Sequence, residues 1–193
     1  TNGLKTPSGK DYLVDRYSEE RVREDIAKIR DKVDLLLVSM HFGVEYTHTP
    51  TSRQKEISNL LSELGVDIVI GHHPHVVQPI EFIGDTMVIY SLGNFISAQR
   101  GIARLTGLMA SIDIVKTTYQ GESKLELDNP NVELVYTDSV ISGKSRYNFK
   151  LYNYNDLTED ILPSYKTYQK RYLDIVMSES YKMKKGDIDG DIK

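Results

Sequence analysis

The stretch Asp67-Ile68-Val69-Ile70-Gly71-His72-His73-Pro74-His75 limits what this chain can become more than any other. Ile68, Val69 and Ile70 are β-favouring and uninterrupted, so they read as a buried strand. A glycine ends the run, and three histidines follow within four positions. Open α/β sheets place their chemistry at the carboxyl ends of strands, which is where these imidazoles are delivered.

Neutral imidazole is the commonest protein ligand for divalent transition metals. His73 and His75 can aim at one ion or at two neighbouring ions if the backbone between them turns. Pro74 stiffens that turn, because it presets its own φ and keeps His73 out of the helical region. Plainer readings stand beside this one. The run can be a polar surface loop, one histidine can be a ligand while the others bond the backbone, or the histidines of a structural α/β domain can simply satisfy one another.

A second histidine lies at a second strand end. Leu35-Leu36-Leu37-Val38-Ser39-Met40-His41 is a continuous apolar run that reads as a strand buried on both faces, and His41-Phe42-Gly43-Val44-Glu45-Tyr46 follows it. Before it, Ser18 caps a helix whose Val22, Ile26, Ile29 and Val33 share a face and cover a sheet. After it, Thr51 and Gln54 form a capping-box pair ahead of Ile57, Leu60, Leu61 and Leu64, with Gly65 at the helix end. Two strands joined through a helix are parallel by the right-handed crossover rule, so His41 and the His72 to His75 loop are expected on one rim.

The rest of the chain reads less sharply. Val77 to Ile83, the turn Gly84-Asp85 and Thr86 to Tyr90 form a hairpin by pattern, followed by the loop Ser91-Leu92-Gly93-Asn94-Phe95. Gly107 to Val115 and Val132 to Val140 read as antiparallel strands separated by polar excursions around Gln120 to Glu122 and Asn129-Pro130. Leu157 to Met177 is broken by Pro163 and then helical, with Tyr165, Tyr168, Tyr172 and Val176 at helical spacing. A charged, frayed tail is expected from Lys182, in which Asp187-Ile188-Asp189-Gly190-Asp191 is a weak match to a calcium loop. The domain reading is residues 1–150 as one domain and 151–193 as a helical extension with a charged tail.

Composition narrows the chemistry. With no cysteine, any metal here must be held by nitrogen and oxygen. A net charge of −4 provides no general basic field, which argues against nucleic acid as a partner. No apolar run approaches the roughly 20 residues of a membrane span. The chain starts at Thr1 without a methionine and reads as a cut inside a longer protein, with any signal or anchor upstream. Thirteen tyrosines against four phenylalanines suggest amphipathic packing surfaces.

Taken in order, His41-Phe42-Gly43-Val44-Glu45-Tyr46, Gln54, Gly71-His72-His73-Pro74-His75-Val76 with Gln78-Pro79, and Tyr90-Ser91-Leu92-Gly93-Asn94-Phe95 resemble the sequence blocks of the bacterial CapA/PgsA proteins. The resemblance spans roughly Thr1 to Gln99 and is looser from Gly107 to about Val140. It implies a part in synthesis and export of the poly-γ-glutamate capsule. The implied fold is an α/β class: a layered α/β/β/α sandwich like that of calcineurin-like metallophosphoesterases, here lacking its N-terminal half.

By the same resemblance, His41 is a metal ligand, and the His72 to His75 loop supplies histidines to one metal each. Whether His72 or His73 pairs with His75 is left open, with His73 favoured. Glu45, Asn94, Ser91 and Gln78 are expected beside the rim, supporting ligands or contacting substrate. The implied cofactor is a divalent ion (Mn, Zn or Fe). In this fold the early aspartates and an asparagine-histidine pair come from the preceding half, so the chain alone carries at most half a site and is expected to be inactive by itself.

Two functions follow as expectations. One is binding of poly-γ-glutamate, another acidic polymer or partner subunits at a histidine rim. The other is metal-dependent hydrolysis of a phosphoester or an amide by a metal-activated water. The expected partners include other membrane subunits of a capsule synthase and either the missing N-terminal half or a swapped homodimer. The expected location is the extracellular face of the bacterial cell membrane, anchored through an upstream segment.

Overall fold

The computed structural model describes residues 5–186. It is a mixed α/β fold with a four-stranded and a three-stranded sheet. The chain divides into two compact units, one ending at Asp34 and one starting at Leu35.

The first unit carries α1 (Glu19–Ile29), with Ser18 at its N-cap and Glu19 and Glu20 in the first turn, where the helix dipole favours acids. The expected apolar face is shorter than its spacing promised. The helix gives way to a 3-10 turn at Arg30–Lys32, so Val33 lies beyond it, and Ile29 and Val33 are both exposed.

The second unit opens with β1 (Leu37–His41), α2 (Ser52–Glu63) and β2 (Ile68–His72), and β1 and β2 pair in parallel. The capping box at α2 is formed in full: the Thr51 side chain accepts from the Gln54 backbone, and the Gln54 side chain accepts from Thr51 N. Then β3 (Ile80–Ile83) and β4 (Thr86–Ile89) make the antiparallel hairpin around Gly84-Asp85. The strand order is β1-β2-β4-β3, with β4 parallel to β2.

That order corrects one expectation. As the outer strand, β1 has no neighbour on one side among the described residues, and Leu37, Ser39 and His41 are exposed while Val38 and Met40 are half-buried. The continuous apolar run is therefore a strand with one open face, not one buried on both.

A one-turn helix, α3 (Ile102–Leu105), leads into β5 (Thr106–Tyr119), β6 (Glu122–Ser142) and β7 (Ser145–Asn153), an antiparallel meander. The turn near Gln120 falls where expected, but Asn129-Pro130 does not separate strands. It is a β-bulge inside β6, where Ser111 pairs with Asn131 and Asp113 with Asp128, and Asn129 takes φ +48. β7 was not foreseen, because a second irregularity with Asn148 at φ +53 breaks its alternation.

Beyond Pro163, α4 (Tyr165–Val176) buries Tyr172 and Val176 as the spacing predicted. α5 (Glu179–Lys185) corrects the frayed tail, at least as far as Lys185. Ser178 caps it, Ser180 Oγ accepts from Phe82 N of β3, and buried Tyr181 donates its hydroxyl to Pro130 O of the bulge. These contacts secure a short helix whose lysines alone would not. The weak calcium-loop match at Asp187 to Asp191 lies outside the described residues.

One apolar cluster unites β2, β3, β4, β5, β6, α4 and α5, through residues such as Ile68, Ile80, Met87, Leu108, Leu134, Val176 and Tyr181. The tyrosine-rich composition has its place here. Tyr90, Tyr154 and Tyr181 are fully buried, and each hydroxyl has a partner: Glu81, Thr106 and Pro130 O respectively.

Gly71 sits at the end of β2 against the exit of β4. A Cβ there would collide with the Tyr90 carbonyl, which is backbone and cannot swing aside. Gly71→Ala is expected to cost about 3 kcal/mol of stability, read as a lowered thermal midpoint. An unchanged midpoint would mean that the two strands can part without cost.

Candidate functional site

The β1–β2 ladder ends with His41 opposite His72, and Phe42 N donates to His72 O at 3.1 Å. Both strand tips therefore open on the same rim. Past β2 the backbone turns abruptly, with His73 at φ +103 and His75 at φ +59 on either side of Pro74. Proline keeps His73 from helical φ, as its position predicts, but the left-handed values go further than its usual extended preference. Tyr46, at φ +64, is tied to this turn by its N–H, which donates to Pro74 O at 2.7 Å. Left-handed non-glycine residues cost on the order of 1–3 kcal/mol each and cluster where surrounding structure overdetermines them.

The turn returns the His73 ring to His41, with centroids 4.7 Å apart, and sets His75 6.2 Å from His73. His73 and His75 thus face the rim together. His72 is half-buried at the tip of β2, beside His41 in register. His48 is turned to the interior, with Nδ1 2.8 Å from Val77 O and its ring against Tyr172. Glu45 brings Oε1 to 3.9 Å from His75 Nε2.

Asn94 fixes the tautomer of His75. Its Nδ2 points at Arg104 O (2.9 Å), Gln99 Oε1 (3.1 Å) and His75 O (3.3 Å), which are all acceptors. Its Oδ1 must then face His75 Nδ1 at 2.9 Å and accept a hydrogen bond from it. In that tautomer the lone pair of the His75 ring is on Nε2, on the side of Glu45. Metal-ligating histidines almost always donate their second ring N–H to an oxygen acceptor, and the Asn94 carboxamide oxygen is such an acceptor.

Ser91 and Gln78 lie behind the rim. Ser91 Oγ accepts from Gly93 N and shapes the loop that carries Asn94. Gln78 is fully buried: it accepts from Gln54 Nε2 at 2.8 Å and donates to Thr47 O at 2.7 Å. It reaches the rim only through the loop it holds.

The electrostatics favour the neutral form of His41 and His73. Partial burial, followed by the neighbouring His73, pushes the His41 pKa below its ordinary value. Burial also lowers His73, with Glu45 opposing and His75 adding to the shift. Most telling is His73 Nδ1, which is buried without a hydrogen-bond partner among the described residues. A buried polar atom of this kind calls for an explanation, and a bound cation is one. These features fit a metal in their donor chemistry, yet among the described residues no three His, Asp or Glu side chains gather closely enough to hold one ion.

Residues that sequence reasoning did not single out complete the rim. Tyr46 packs beside His75 at 6.1 Å between ring centroids, and the Arg104 guanidinium lies 4.7 Å from the Tyr46 ring centroid. Nothing in the local pattern around Arg104 marks it, because it arrives from a one-turn helix more than 25 residues after the histidines.

The family model for bacterial capsule synthesis proteins, PGA_cap, matches residues 2–99, a span that includes all four rim histidines, Glu45 and Asn94. The chain belongs to that family. It is 42% identical over 106 residues to the PGA biosynthesis protein CapA of Bacillus subtilis, covering 51% of this chain and 28% of that protein. It is 38% identical over 80 residues to the capsule biosynthesis protein CapA of Bacillus anthracis, covering 39% and 20% respectively. A probable polyglutamine synthesis accessory protein of Mycobacterium tuberculosis is 27% identical over 95 residues, covering 47% and 25%. The PGA_cap chain thus spans about a quarter of the length of these curated relatives.

The lowered pKa values have a sign that can be checked. The unfolded chain binds more protons than the folded one between the folded values and about pH 6.5. The stability contributed by His41 and His73 is therefore complete above that pH and lost as the pH falls through the folded values. In chelator-treated protein, NMR titration should give both rings midpoints below 6.5, and long-range nitrogen correlations should report His75 as the Nδ1–H tautomer. Asn94→Ala should release that tautomer into a mixture; a single tautomer unchanged in the variant would remove Asn94 from this role.

Proposed function

We propose that this chain is part of a poly-γ-glutamate capsule biosynthesis protein and that its histidine rim meets the acidic polymer. Family membership and the names of the relatives support the pathway. The observation that carries the site is the unpartnered His73 Nδ1 next to His41, with His75 held in one tautomer by Asn94. Of His41, His73 and His75, no more than two would reach one divalent ion (Mn, Zn or Fe), with His72 and Glu45 beside them. The ion would supply positive charge that an acidic chain otherwise lacks.

The remaining donors would come from outside the described residues, from further parts of the protein or from a second copy. The open face of β1 is compatible with such a neighbour. The finer architecture belongs to the same reading: the two sheets are taken as part of a metallophosphoesterase-like sandwich, with residues 151–193 as an appended segment. The protein would work at the extracellular face of the cell membrane beside other capsule synthase subunits.

A second reading, a metal-dependent hydrolase for phosphoester or amide bonds, draws on the 3.9 Å separation of Glu45 and His75 Nε2. A bound ion would supply Lewis acidity there, while Asn94 would keep the His75 donor atom oriented and Glu45 would accept a proton at its carboxylate.

One experiment on the whole protein separates the two. Poly-γ-glutamate binding should fall at least tenfold on chelation and equally in His73→Ala, with the bound metal lost in elemental analysis. Binding indifferent to both would take the ion out of polymer recognition. Turnover of an aryl phosphate by manganese- or zinc-loaded protein, abolished in His73→Ala, would favour the hydrolase instead.

A further inference from the structure

We infer that Arg104 is an oxyanion receptor of this rim, taking the free α-carboxylate of a γ-glutamyl unit; the choice of that ligand rests on the capsule reading above. The guanidinium lies over the Tyr46 ring, and Tyr46 packs in turn beside His75. Its backbone is secured as well: Arg104 O accepts from Asn94 Nδ2, and Arg104 N donates to Gly101 O. The residue that orients His75 therefore also positions the turn bearing Arg104.

This arrangement suits recognition more than packing. Arg104 is half-buried, and among the described residues no carboxylate forms an ion pair with it. Stacking on an aromatic face leaves the planar N–H donors of a guanidinium free to bond in its plane, and Nη2 and Nε pass here beside Gly101, which has no side chain to cover them. A planar carboxylate matches that edge with two parallel hydrogen bonds. The surrounding rim carries exposed Val44, Tyr46, Phe95 and Ile96. They offer apolar contact to the two methylenes of each γ-glutamyl repeat while the cation takes its carboxylate. The chain is acidic overall, so a cation held here by a ring and an amide makes a local attraction against the general field.

The test is a chemical double-mutant cycle on the whole protein, with oligo-γ-glutamate and its α-carboxamide counterpart as ligands. Arg104→Gln should weaken oligo-γ-glutamate binding about tenfold or more and flatten its dependence on salt. It should leave binding of the carboxamide unchanged, and Arg104→Lys should fall between. Equal losses for both ligands would make Arg104 structural and overturn the inference while the capsule reading survives. No loss for either would do the same. If the unsubstituted protein fails to bind oligo-γ-glutamate at all, both fall; displacement of bound oligo-γ-glutamate by millimolar inorganic phosphate as readily as by glutamate would overturn selectivity for a carboxylate.

Discussion

The rim depends on how closely the backbone of β4 passes β2. Gly71 has no side chain to hold the strands apart, and the Tyr90 carbonyl occupies the space a Cβ would need. Leu92 N then donates to Gly71 O, so the chain leaving β4 is drawn along the end of β2 directly into the Asn94 loop. Asn94 reaches His75 because of that approach. An ordinary residue at 71 would push the loop away and leave the His75 ring free to turn. The glycine, the ladder and the imidazole tautomer are one mechanical sequence.

A buried polar link supports the opposite side of the rim. Gln54 completes the cap of α2 and also donates to Gln78, whose amide holds the carbonyls of Thr47 and Thr49. Gly43 passes close to the Gln54 side chain, leaving no room for a Cβ of its own. A fully buried amide pair is costly unless every group is satisfied, and here the two glutamines bond each other and the loop carrying Glu45 and Tyr46. The helix cap, which in isolation contributes only to α2, is thus connected to the position of the site.

Much of this was legible in the residues and some was not. The convergence of His41 with the His72 to His75 loop follows from strand–helix–strand order, since handedness leaves one arrangement. The placing of the His73 ring 6.2 Å from His75 is a matter of two left-handed φ values, which neither residue type announces. The approach of Arg104 to Tyr46 is not legible in the residues for the same reason: it depends on a strained loop and on a carbonyl caught by Asn94. In the second sheet, bulges hid strand continuity, because Asn129-Pro130 reads as a break wherever a bulge is not assumed. The exposure of β1 was hidden by composition, since an apolar run looks the same at the edge of a sheet as at its centre.

The second sheet bears on the site although it lies beyond the family-matched residues 2–99. Gly93 bridges to Gly107, Leu108 N donates to Leu92 O at 2.8 Å, and Thr137 donates to Phe95 O at 3.0 Å. Gly107 is itself pressed against the Asn94 backbone, so β5 holds one side of the loop while the end of β2 holds the other. The buried tyrosines of the C-terminal half then have a role beyond bulk: Tyr154 anchors Thr106 and Tyr181 anchors the Pro130 bulge. Fixing those two points fixes where β5 starts and how β6 bends beneath it. Orientation of the His75 ring is therefore a property of both sheets together, and the matched family segment carries the rim histidines while the following residues hold their loop in place.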